Sequence, residues 1–268
     1  MFQKVRFPKA FYVLLAAIAV SPLTYAQKTE TGFLDRSIRM NGTEYRYQVF
    51  VPRGFTRKRT WPVIVALHGG GEYGSDGVRQ TTVGLAPAIR RNVERFPAII
   101  IFPQAKVDGK PGWQLDGGEA ALRQLDKTIR EFHGDPKRVI LTGYSAGGNG
   151  TWSLASRYPD RFAGLVVVCG FVDEFRGRAS NILYPALASG SDPYATIARR
   201  VASIPVRIFH GAKDDVVLPE QSRRMFAALK AAGADVEYTE FPETNHNAWD
   251  PAYSRGDVIE WMLRQRRL

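Results

Sequence analysis

The sequence predicts a single α/β domain built on a mostly parallel, doubly wound sheet, without a large cap. Short apolar runs rich in β-branched residues alternate with helical patterns along the chain, which is the order expected of a parallel sheet covered by helices. Several runs, such as PVIVAL (62–67) and AIIIF (98–102), are continuously apolar, as in strands that are buried on both faces. The chain has 268 residues, 44% of them hydrophobic, which is enough to bury a large core.

Seven apolar runs predict strands, and the segments between them predict four helices. The strand runs cover residues 45–51, 62–67, 98–102, 139–142, 165–168, 206–209 and 236–241. The helical patterns cover residues 118–132, 146–157, 220–232 and 258–265. Residues 170–203 predict an irregular insertion, too short for a cap domain, that forms a small lid or rim. Because ligands of such sheets bind at the carboxyl ends of the strands, we expect the chemistry there.

The first 26 residues predict a secretory signal peptide, separate from a catalytic domain at residues 27–268. Lys4, Arg6 and Lys9 precede the apolar run FYVLLAAIAV, and a small-x-small pattern ends at Ala26. This run is shorter than the roughly 20 residues needed to span a bilayer, which disfavours a membrane anchor. We therefore expect export, cleavage near Ala26, a periplasmic or extracellular location and no stable membrane insertion.

The charge and the cysteine content argue against several kinds of partner, cross-link and metal site. The formal net charge is +11, of which the leader contributes +3, so +8 remains on the rest of the chain. No nucleic-acid motif accompanies this charge, so no nucleic-acid partner is expected. A basic protein surface would still attract anionic surfaces through long-range electrostatics. Cys169 is the only cysteine, which excludes an intramolecular disulfide and a cysteine-based metal site. Its place in LVVVCG predicts a buried strand end.

The strongest chemical signal is Gly143-Tyr144-Ser145-Ala146-Gly147, a G-x-S-x-G pattern between a predicted strand and a predicted helix. Such a sharp turn needs small neighbours and lifts the serine hydroxyl above the sheet edge. We therefore predict Ser145 as a nucleophile, with an ordinary Gly-Ser turn as the alternative. The Ala146 amide, at the helix N-terminus, is a predicted donor to a developing oxyanion.

A second signal, Leu67-His68-Gly69-Gly70-Gly71, ends an earlier predicted strand. Glycines leave backbone N–H groups open and let a ligand approach closely. The motif is similar to the oxyanion loop of lipases and esterases, which makes Gly70 the second predicted donor and Gly71 the next choice. A tight, mobile glycine turn is the alternative for this loop. We interpret His68 as structural, holding the loop by hydrogen bonds.

The base is identified by elimination among four histidines. The strand–turn–helix setting of Ser145 resembles that of α/β hydrolases, in which the acid and then the histidine follow the serine along the chain. Only His210 and His246 follow Ser145, and only His246 follows a plausible acid. His246 is therefore the predicted base.

The acid is expected in the loop after the strand at residues 206–209. Asp214 and Asp215 compete there, and the spacing His-Gly-x-x-Asp, which resembles that of α/β hydrolases, favours Asp214. Asp173, after an earlier strand, is the remaining alternative. The acid would hold the base in one tautomer and stabilise its protonated form.

The chain resembles the esterase and predicted-peptidase branch of the α/β-hydrolase superfamily, which includes secreted carboxylesterases and esterases similar to poly(hydroxyalkanoate) depolymerases. The matching stretches, from about residue 45 onward, are LHGGGEYG (67–74), DPKRVILTGYSAGG (135–148), GTW (150–152), YPDRF (158–162) and HNAWD (246–250). The resemblance implies hydrolysis of a small-molecule or polymer-linked carboxylic ester through a Ser145–His246–Asp214 triad, without metal or organic cofactor. Many relatives have Leu and Met beside the serine. Tyr144 and Ala146 stand there in this chain, which leaves the acyl preference open.

Two aromatic residues are predicted to bind substrate. Tyr144 adjoins the nucleophile, and Trp113 follows the strand at residues 98–102 on a Gly/Pro-rich loop; core packing is the alternative for Trp113. Trp249, near His246, is predicted to pack under its loop. Three other functions remain open: a serine peptidase of the prolyl-oligopeptidase-like type, a non-catalytic binding module and an acyltransferase.

Overall fold

An eight-stranded sheet runs through the part of the chain that the computed structural model describes, which comprises residues 1–2, 30–106, 112–175, 178–179 and 192–268. The strands of this sheet are β1 (Gly32–Met40), β2 (Thr43–Val51), β3 (Trp61–Leu67), β4 (Ile99–Pro103), β5 (Gly134–Tyr144), β6 (Gly164–Val168), β9 (Val206–Gly211) and β10 (Val236–Phe241). Two further two-residue strands, β7 (Glu174–Phe175) and β8 (Arg178–Ala179), pair only with each other. All but two residues of the predicted signal peptide lie outside the described residues.

The strands are arranged in the order β1-β2-β4-β3-β5-β6-β9-β10. The β1–β2 and β2–β4 pairs are antiparallel, and every later pair in this order is parallel. Strand β4 lies on one side of β3, and β5 lies on the other side. The prediction of a mostly parallel sheet is confirmed, and its strand order reverses between β3 and β5, where such sheets bind ligands.

Helices cover both faces of the sheet. They are α1 (Leu85–Arg91), α2 (Asp116–Glu131), α3 (Ala146–Arg157), α4 (Pro193–Val201), α5 (Glu220–Ala231), α6 (Trp249–Ser254) and α7 (Gly256–Arg264). Apolar side chains of α2 to α5 form one core cluster, and those of α1, α6 and α7 form the other. Along β3, Val63 and Val65 face the first cluster and Ile64 faces the second. This two-sided burial explains the continuous apolar runs in the sequence.

The region predicted as an irregular insertion is partly helical, so that prediction was wrong for residues 193–201. Helix α4 begins at Asp192, whose side chain accepts hydrogen bonds from the amides of Tyr194 and Ala195. Its Ile197, Ala198 and Val201 side chains are buried in the first core cluster. Helix α4 is thus part of the helical layer, while residues 180–191 of the predicted lid lie outside the described residues. Within the described part of the chain, the longest helices are too short and too polar to cross a bilayer.

Candidate active site

Three side chains from distant parts of the sequence meet at the carboxyl edge of the sheet. Ser145 follows β5, Asp214 lies in the loop after β9, and His246 lies in the loop after β10. Because the carboxyl ends of parallel strands lie at one edge, these three loops converge there. Ser145, Asp214 and His246 are therefore the candidates for the chemistry that the sequence predicts at this edge.

Ser145 occupies a strained turn between β5 and α3. Its backbone has φ 53° and ψ −119°, a conformation that non-glycine residues adopt rarely and at an energetic cost. Its amide donates to the Val168 carbonyl at 3.0 Å, which secures the turn on β6. A Cβ atom on Gly143 would lie 2.3 Å from the Gly147 carbonyl oxygen. The small flanking residues of the motif are thus a steric requirement of this turn.

The Ser145 hydroxyl begins a continuous chain of hydrogen bonds. Its Oγ lies 3.0 Å from His246 Nε2, and His246 Nδ1 lies 2.7 Å from Asp214 Oδ2. A carboxylate only accepts, so the Asp214 contact assigns the proton to Nδ1 in the neutral ring. Nε2 then has a free lone pair directed at the serine hydroxyl. This arrangement can remove a proton from Ser145 as its oxygen attacks an electrophile.

Asp214 is buried, and all its described contacts stabilise the carboxylate. Oδ1 accepts from the amides of Val216 and Val217, each at 2.9 Å, and Oδ2 lies 2.7 Å from His246 and 3.1 Å from His210. Burial by itself would raise the pKa of Asp214, but hydrogen bonds from His210, His246 and Val217 outweigh burial and lower it below its usual range. Asp214 is therefore ionised at neutral pH.

His210 is a second histidine on the same carboxylate. Its Nε2 lies 2.8 Å from the Val217 carbonyl oxygen as well as 3.1 Å from Asp214 Oδ2. A carbonyl only accepts, so Nε2 carries the proton and Nδ1 accepts from the Ser222 hydroxyl at 2.7 Å. The sequence argument excluded His210 as the base and assigned it no other role. The sequence signal for the contact between His210 and Asp214 was that His210 stands four residues before Asp214.

The two alternative acids lie in other environments. Asp215 is exposed. The Asp173 carboxylate accepts from Tyr194 Oη at 2.6 Å and Gln221 Nε2 at 3.0 Å, and it pairs with Arg224 at 3.2 Å. Of the three candidates, Asp214 is the one that contacts His246.

His68 fixes the glycine loop after β3 from within the core. Its Nδ1 donates to the Gly69 carbonyl at 2.7 Å, and its Nε2 accepts from the Ala105 amide at 3.0 Å. Burial lowers the pKa of His68 to about 4, although the hydrogen bond to Gly69 opposes this effect. Protonation would place a second N–H against the Ala105 amide. The interpretation of His68 as a structural residue is confirmed.

The two predicted oxyanion donors begin helical turns. Gly70 is the first residue of a short 3-10 turn (Gly70–Glu72), and Ala146 is the first residue of α3. The first amides of a helical turn have no acceptor within that turn. Gly70 and Gly71 are also exposed. Both loops therefore offer backbone N–H groups at the end of the sheet where Ser145 lies.

Trp113 does not form a substrate wall, so that prediction was wrong. The residue is fully buried. Its Nε1 donates to the His68 carbonyl at 3.1 Å, and its ring lies 4.7 Å from the His68 ring. A Cβ atom on Gly150 would lie 2.6 Å from Trp113 Cβ. Trp113 thus packs α3 against the base of the glycine loop, which was the alternative that the sequence left open.

Tyr144 is also buried, with only 5% of its surface exposed, so its prediction as a substrate-binding residue is corrected too. Its hydroxyl donates to Glu72 Oε2 at 2.8 Å. The ring lies so close to Gly69 that a Cβ atom there would be 2.7 Å from Tyr144 Cε2. Tyr144 therefore links the glycine loop to β5, the strand that directly precedes Ser145. Sequence reasoning missed the hydrogen bond between Tyr144 and Glu72.

Trp249 bridges Tyr144 and His246. Its ring centroid lies 4.7 Å from that of Tyr144 and 5.4 Å from that of His246, with an edge-to-face arrangement in the second pair. The ring is half-buried. The prediction that Trp249 packs under the His246 loop is confirmed.

A family model and several known proteins match this chain. The model of the prolyl oligopeptidase family (Peptidase_S9) matches residues 120–264, more than half of the chain. An uncharacterized secreted protein of Arthroderma benhamiae is 27% identical over 224 residues, which cover 76% of this chain and 23% of that protein. Acetylxylan esterase A of Emericella nidulans is 26% identical over 141 residues, covering 48% of this chain and 43% of the esterase. The chain thus spans less than half the length of both relatives.

Among solved structures, that of a thermostable esterase is similar along most of the chain. The two structures superpose with a TM-score of 0.72 at 27% sequence identity, covering 88% of this chain and 63% of the esterase. Together with the mostly parallel sheet and its covering helices, this similarity shows that the chain has the α/β-hydrolase fold.

Proposed function

Since the chain belongs to the prolyl oligopeptidase family and is a hydrolase with the α/β-hydrolase fold, we propose that it cleaves carboxylic esters through a covalent acyl-enzyme intermediate. In this proposal Ser145 is the nucleophile, His246 the general base and Asp214 the acid that orients the base. The preference for esters is supported by relatives named as an acetylxylan esterase and a thermostable esterase.

The hydrogen-bond chain from Ser145 through His246 to Asp214 is the observation that carries the proposal. Neutral His246 has its proton on Nδ1 and its lone pair 3.0 Å from Ser145 Oγ. As Oγ attacks the ester carbonyl carbon, Nε2 takes the hydroxyl proton, and the ionised Asp214 stabilises the imidazolium that forms. The negative charge then rests on the former carbonyl oxygen.

The proposed donors to that oxygen are the amides of Gly70 and Ala146. One such donor typically stabilises the transition state by about 3–4 kcal/mol. The intermediate collapses when His246 donates its proton to the leaving alcohol. Water then attacks the acyl-enzyme with His246 again as the base, which releases the acid and regenerates Ser145.

The first test is hydrolysis of p-nitrophenyl butyrate by the parent and the Ser145→Ala variant. We expect a loss of roughly 10³-fold or more in kcat, because the covalent route is removed. A fluorophosphonate probe should label the parent and not the variant. Equal activity in the two proteins would exclude Ser145 as the nucleophile. A folded but inactive parent that still reacts with the probe would favour another acyl substrate.

The second candidate function is peptide hydrolysis, which the family match favours. The same residues would attack an amide, but the leaving amine must be protonated more fully before the bond breaks. Ester and anilide substrates with the same acyl group separate the two. A higher kcat/KM for the anilide would reverse our assignment of the physiological bond.

We also propose that the protein acts outside the cytoplasm. The secreted relative from Arthroderma benhamiae supports export, as does the predicted signal peptide. N-terminal sequencing of the protein recovered from the periplasm or the medium tests this, and we expect a mature chain that begins at Gln27. An uncleaved chain retained with the cells would contradict the proposal.

A further inference from the structure

Gln104 is a buried polar residue at the end of an apolar strand. It directly follows β4 in the sequence IIIFPQ, and only 2% of its surface is exposed. Burying an amide side chain is costly unless its hydrogen-bonding groups find partners. Gln104 takes no part in the reaction steps proposed above, so its contacts indicate what this position requires.

The side chain of Gln104 forms three hydrogen bonds, all with residues 72–77 of the glycine loop. Nε2 donates to the Glu72 carbonyl at 3.2 Å and to Asp76 Oδ1 at 3.1 Å, while Oε1 accepts from the Gly77 amide at 2.7 Å. Both hydrogens of the amide group are therefore used, and the contacts fix which end of the group is nitrogen. A single side chain thus joins the two ends of this segment.

The loop also lies directly on the backbone that carries Gln104. The Gly74 amide donates to the Ala105 carbonyl at 3.0 Å, and the Ala105 amide donates to His68 Nε2 at 3.0 Å. A Cβ atom on Gly74 would lie 3.0 Å from Gln104 Nε2. Gln104 is therefore packed closely against the loop as well as hydrogen-bonded to it.

The turn that presents the Gly70 amide is only weakly closed by its own hydrogen bond. The Glu72 amide lies 3.5 Å from the Gly69 carbonyl oxygen, which is long for such a bond. His68 holds the Gly69 carbonyl before the turn, and Gln104 holds the Glu72 carbonyl at its end. The residues between these two anchors are exposed glycines, whose backbone is intrinsically free. The direction of the Gly70 N–H therefore depends on both anchors.

We propose that Gln104 is a positioning residue, which aims the Gly70 amide at the oxyanion by fixing the Glu72 carbonyl and the Gly77 amide. This inference rests on the proposed function. Gln104 acts through Gly70 and does not touch the substrate. Its loss should therefore weaken an interaction that forms only in the transition state, which lowers kcat and leaves KM little changed.

The first test is Gln104→Met, which keeps the length of the side chain and removes all three hydrogen bonds. Loss of an oxyanion donor typically lowers kcat by about 10²- to 10³-fold, so misalignment of one should lower it by roughly 10- to 100-fold. Gln124→Met is the matched control, because Gln124 is buried in α2 and donates to the Tyr45 carbonyl, outside the loop. Its kcat with p-nitrophenyl butyrate should equal that of the parent.

Thermal unfolding, followed by circular dichroism, shows that both variants are folded at the assay temperature. An equal loss of kcat in the two Met variants would assign the effect to general loss of packing and overturn the positioning role. An increase in KM alone in Gln104→Met would overturn it too, because Gln104 would then affect substrate binding.

Gln104→Glu separates positioning from packing through its dependence on pH. A carboxylate here still accepts from Gly77 but faces two acceptors, the Glu72 carbonyl and Asp76, whose pKa is lowered by a hydrogen bond from the Arg79 amide. Burial and the Asp76 charge raise the pKa of the new carboxyl group, and its protonated form can donate again. The ratio of variant to parent kcat should therefore rise as the pH falls from about 8 to about 5.5. A constant ratio would contradict the proposal.

A fluorophosphonate probe tests the same geometry without ester turnover. Ser145 Oγ forms a bond to phosphorus, fluoride leaves, His246 takes the hydroxyl proton, and the phosphoryl oxygen occupies the place of the oxyanion. Labelling should slow in Gln104→Met by about the same factor as kcat, and should stay at the parent rate in Gln124→Met.

The labelling rates also separate this inference from the proposed function. Slower labelling of Gln104→Met, in a protein whose parent cleaves no ester, would support the positioning role and count against the proposed substrate alone. Equal labelling of the parent and Gln104→Met would overturn the positioning role. A folded parent that does not react with the probe would overturn it together with the proposed nucleophile.

Discussion

One buried His-Gly pair directly follows β3 and another forms the end of β9, yet the two histidines carry their protons on opposite nitrogens. His68 donates from Nδ1 to the Gly69 carbonyl and accepts the Ala105 amide at Nε2. His210 donates from Nε2 to Val217 and Asp214 and accepts the Ser222 hydroxyl at Nδ1. The partner that each ring meets in the core sets its tautomer.

His68 and His210 therefore support the same site in two different ways. The His68 ring forms its hydrogen bonds with backbone groups alone, so it sets the shape of the glycine loop and leaves the charges of the proposed triad unchanged. His210 touches the acid itself, so it helps to keep Asp214 ionised and aligned. We therefore expect changes near Asp214 to reduce turnover and changes at His68 to reduce stability.

The largest effect is expected for Asp214→Asn. The amide could present its N–H₂ group to His246 Nδ1, which would favour the wrong tautomer, and we expect kcat to fall by about 10⁴-fold. Asp215→Asn is the matched control, because Asp215 is exposed and adjacent; its kcat should stay within about twofold. Steady-state rates with p-nitrophenyl butyrate measure both. A greater loss in Asp215→Asn would show that the acid is assigned to the wrong aspartate.

The next effect is expected for His210→Asn, whose shorter side chain cannot reach Asp214. A hydrogen bond to a charged group is worth about 1.5–3 kcal/mol, so we expect kcat to fall by roughly 10- to 100-fold. KM should change little, because His210 is buried and cannot touch substrate. His210→Gln can place an N–H near the lost Nε2 position and should recover part of the rate. A rise in KM at constant kcat would contradict a positioning role.

The sequence predicted the parallel strands well, because strands buried on both faces are continuous apolar runs. It missed β1, an edge strand with a partly exposed, charged sequence (GFLDRSIRM) and mostly half-buried residues. It also missed α4, since only four of its nine residues are buried. The pattern of a half-exposed element in a short segment is too weak to distinguish it from a loop.

The same limit applies to the site. The motifs predicted a site of Ser145, Asp214 and His246, which the structure brings into contact, because strand–turn–helix context and chain order restrict such residues strongly. They did not predict that Trp113 and Tyr144 point into the core, because an aromatic residue beside a motif fits a pocket wall and a packed interior equally well. Cys169 Sγ lies within 4.8 Å of a donor atom of Asp214 and of His246. This proximity depends on how β6 lies beside β9, which no local pattern encodes.

For His68 we expect an effect on stability, with a smaller effect on turnover than at Asp214 or His210. Its pKa is about 4 in the folded protein and about 6.5 in an unfolded chain, so the unfolded state binds more protons between these values. Stability due to His68 is therefore present above pH 6.5 and is lost as the pH falls toward 4. From pH 7 to pH 5 the parent should lose about 2 kcal/mol of unfolding free energy from this group. Urea unfolding at both pH values measures the loss.

His68→Gln removes this titration and should unfold with a correspondingly smaller difference between pH 7 and pH 5. The variant should also be less stable than the parent at pH 7, because Gln cannot match both ring contacts. His133→Gln is the control, since His133 is exposed, and should keep the pH dependence of the parent. An unchanged pH difference in His68→Gln would assign the acid sensitivity to other groups.

The smallest effect is expected for Tyr144→Phe, which tests the other side of the glycine loop. His68 holds Gly69 from the core, while Tyr144 packs against Gly69 and donates to Glu72 at 2.8 Å. A hydrogen bond to a charged group is worth about 1.5–3 kcal/mol, and half-exposed Glu72 falls at the low end. We therefore expect kcat to fall by about tenfold if the loop positions the Gly70 amide. Glu72→Gln is the matched control, because its amide oxygen still accepts from Tyr144. A loss of rate in Glu72→Gln that equals the loss in Tyr144→Phe would mean that the carboxylate charge, and not the hydrogen bond, sets the loop.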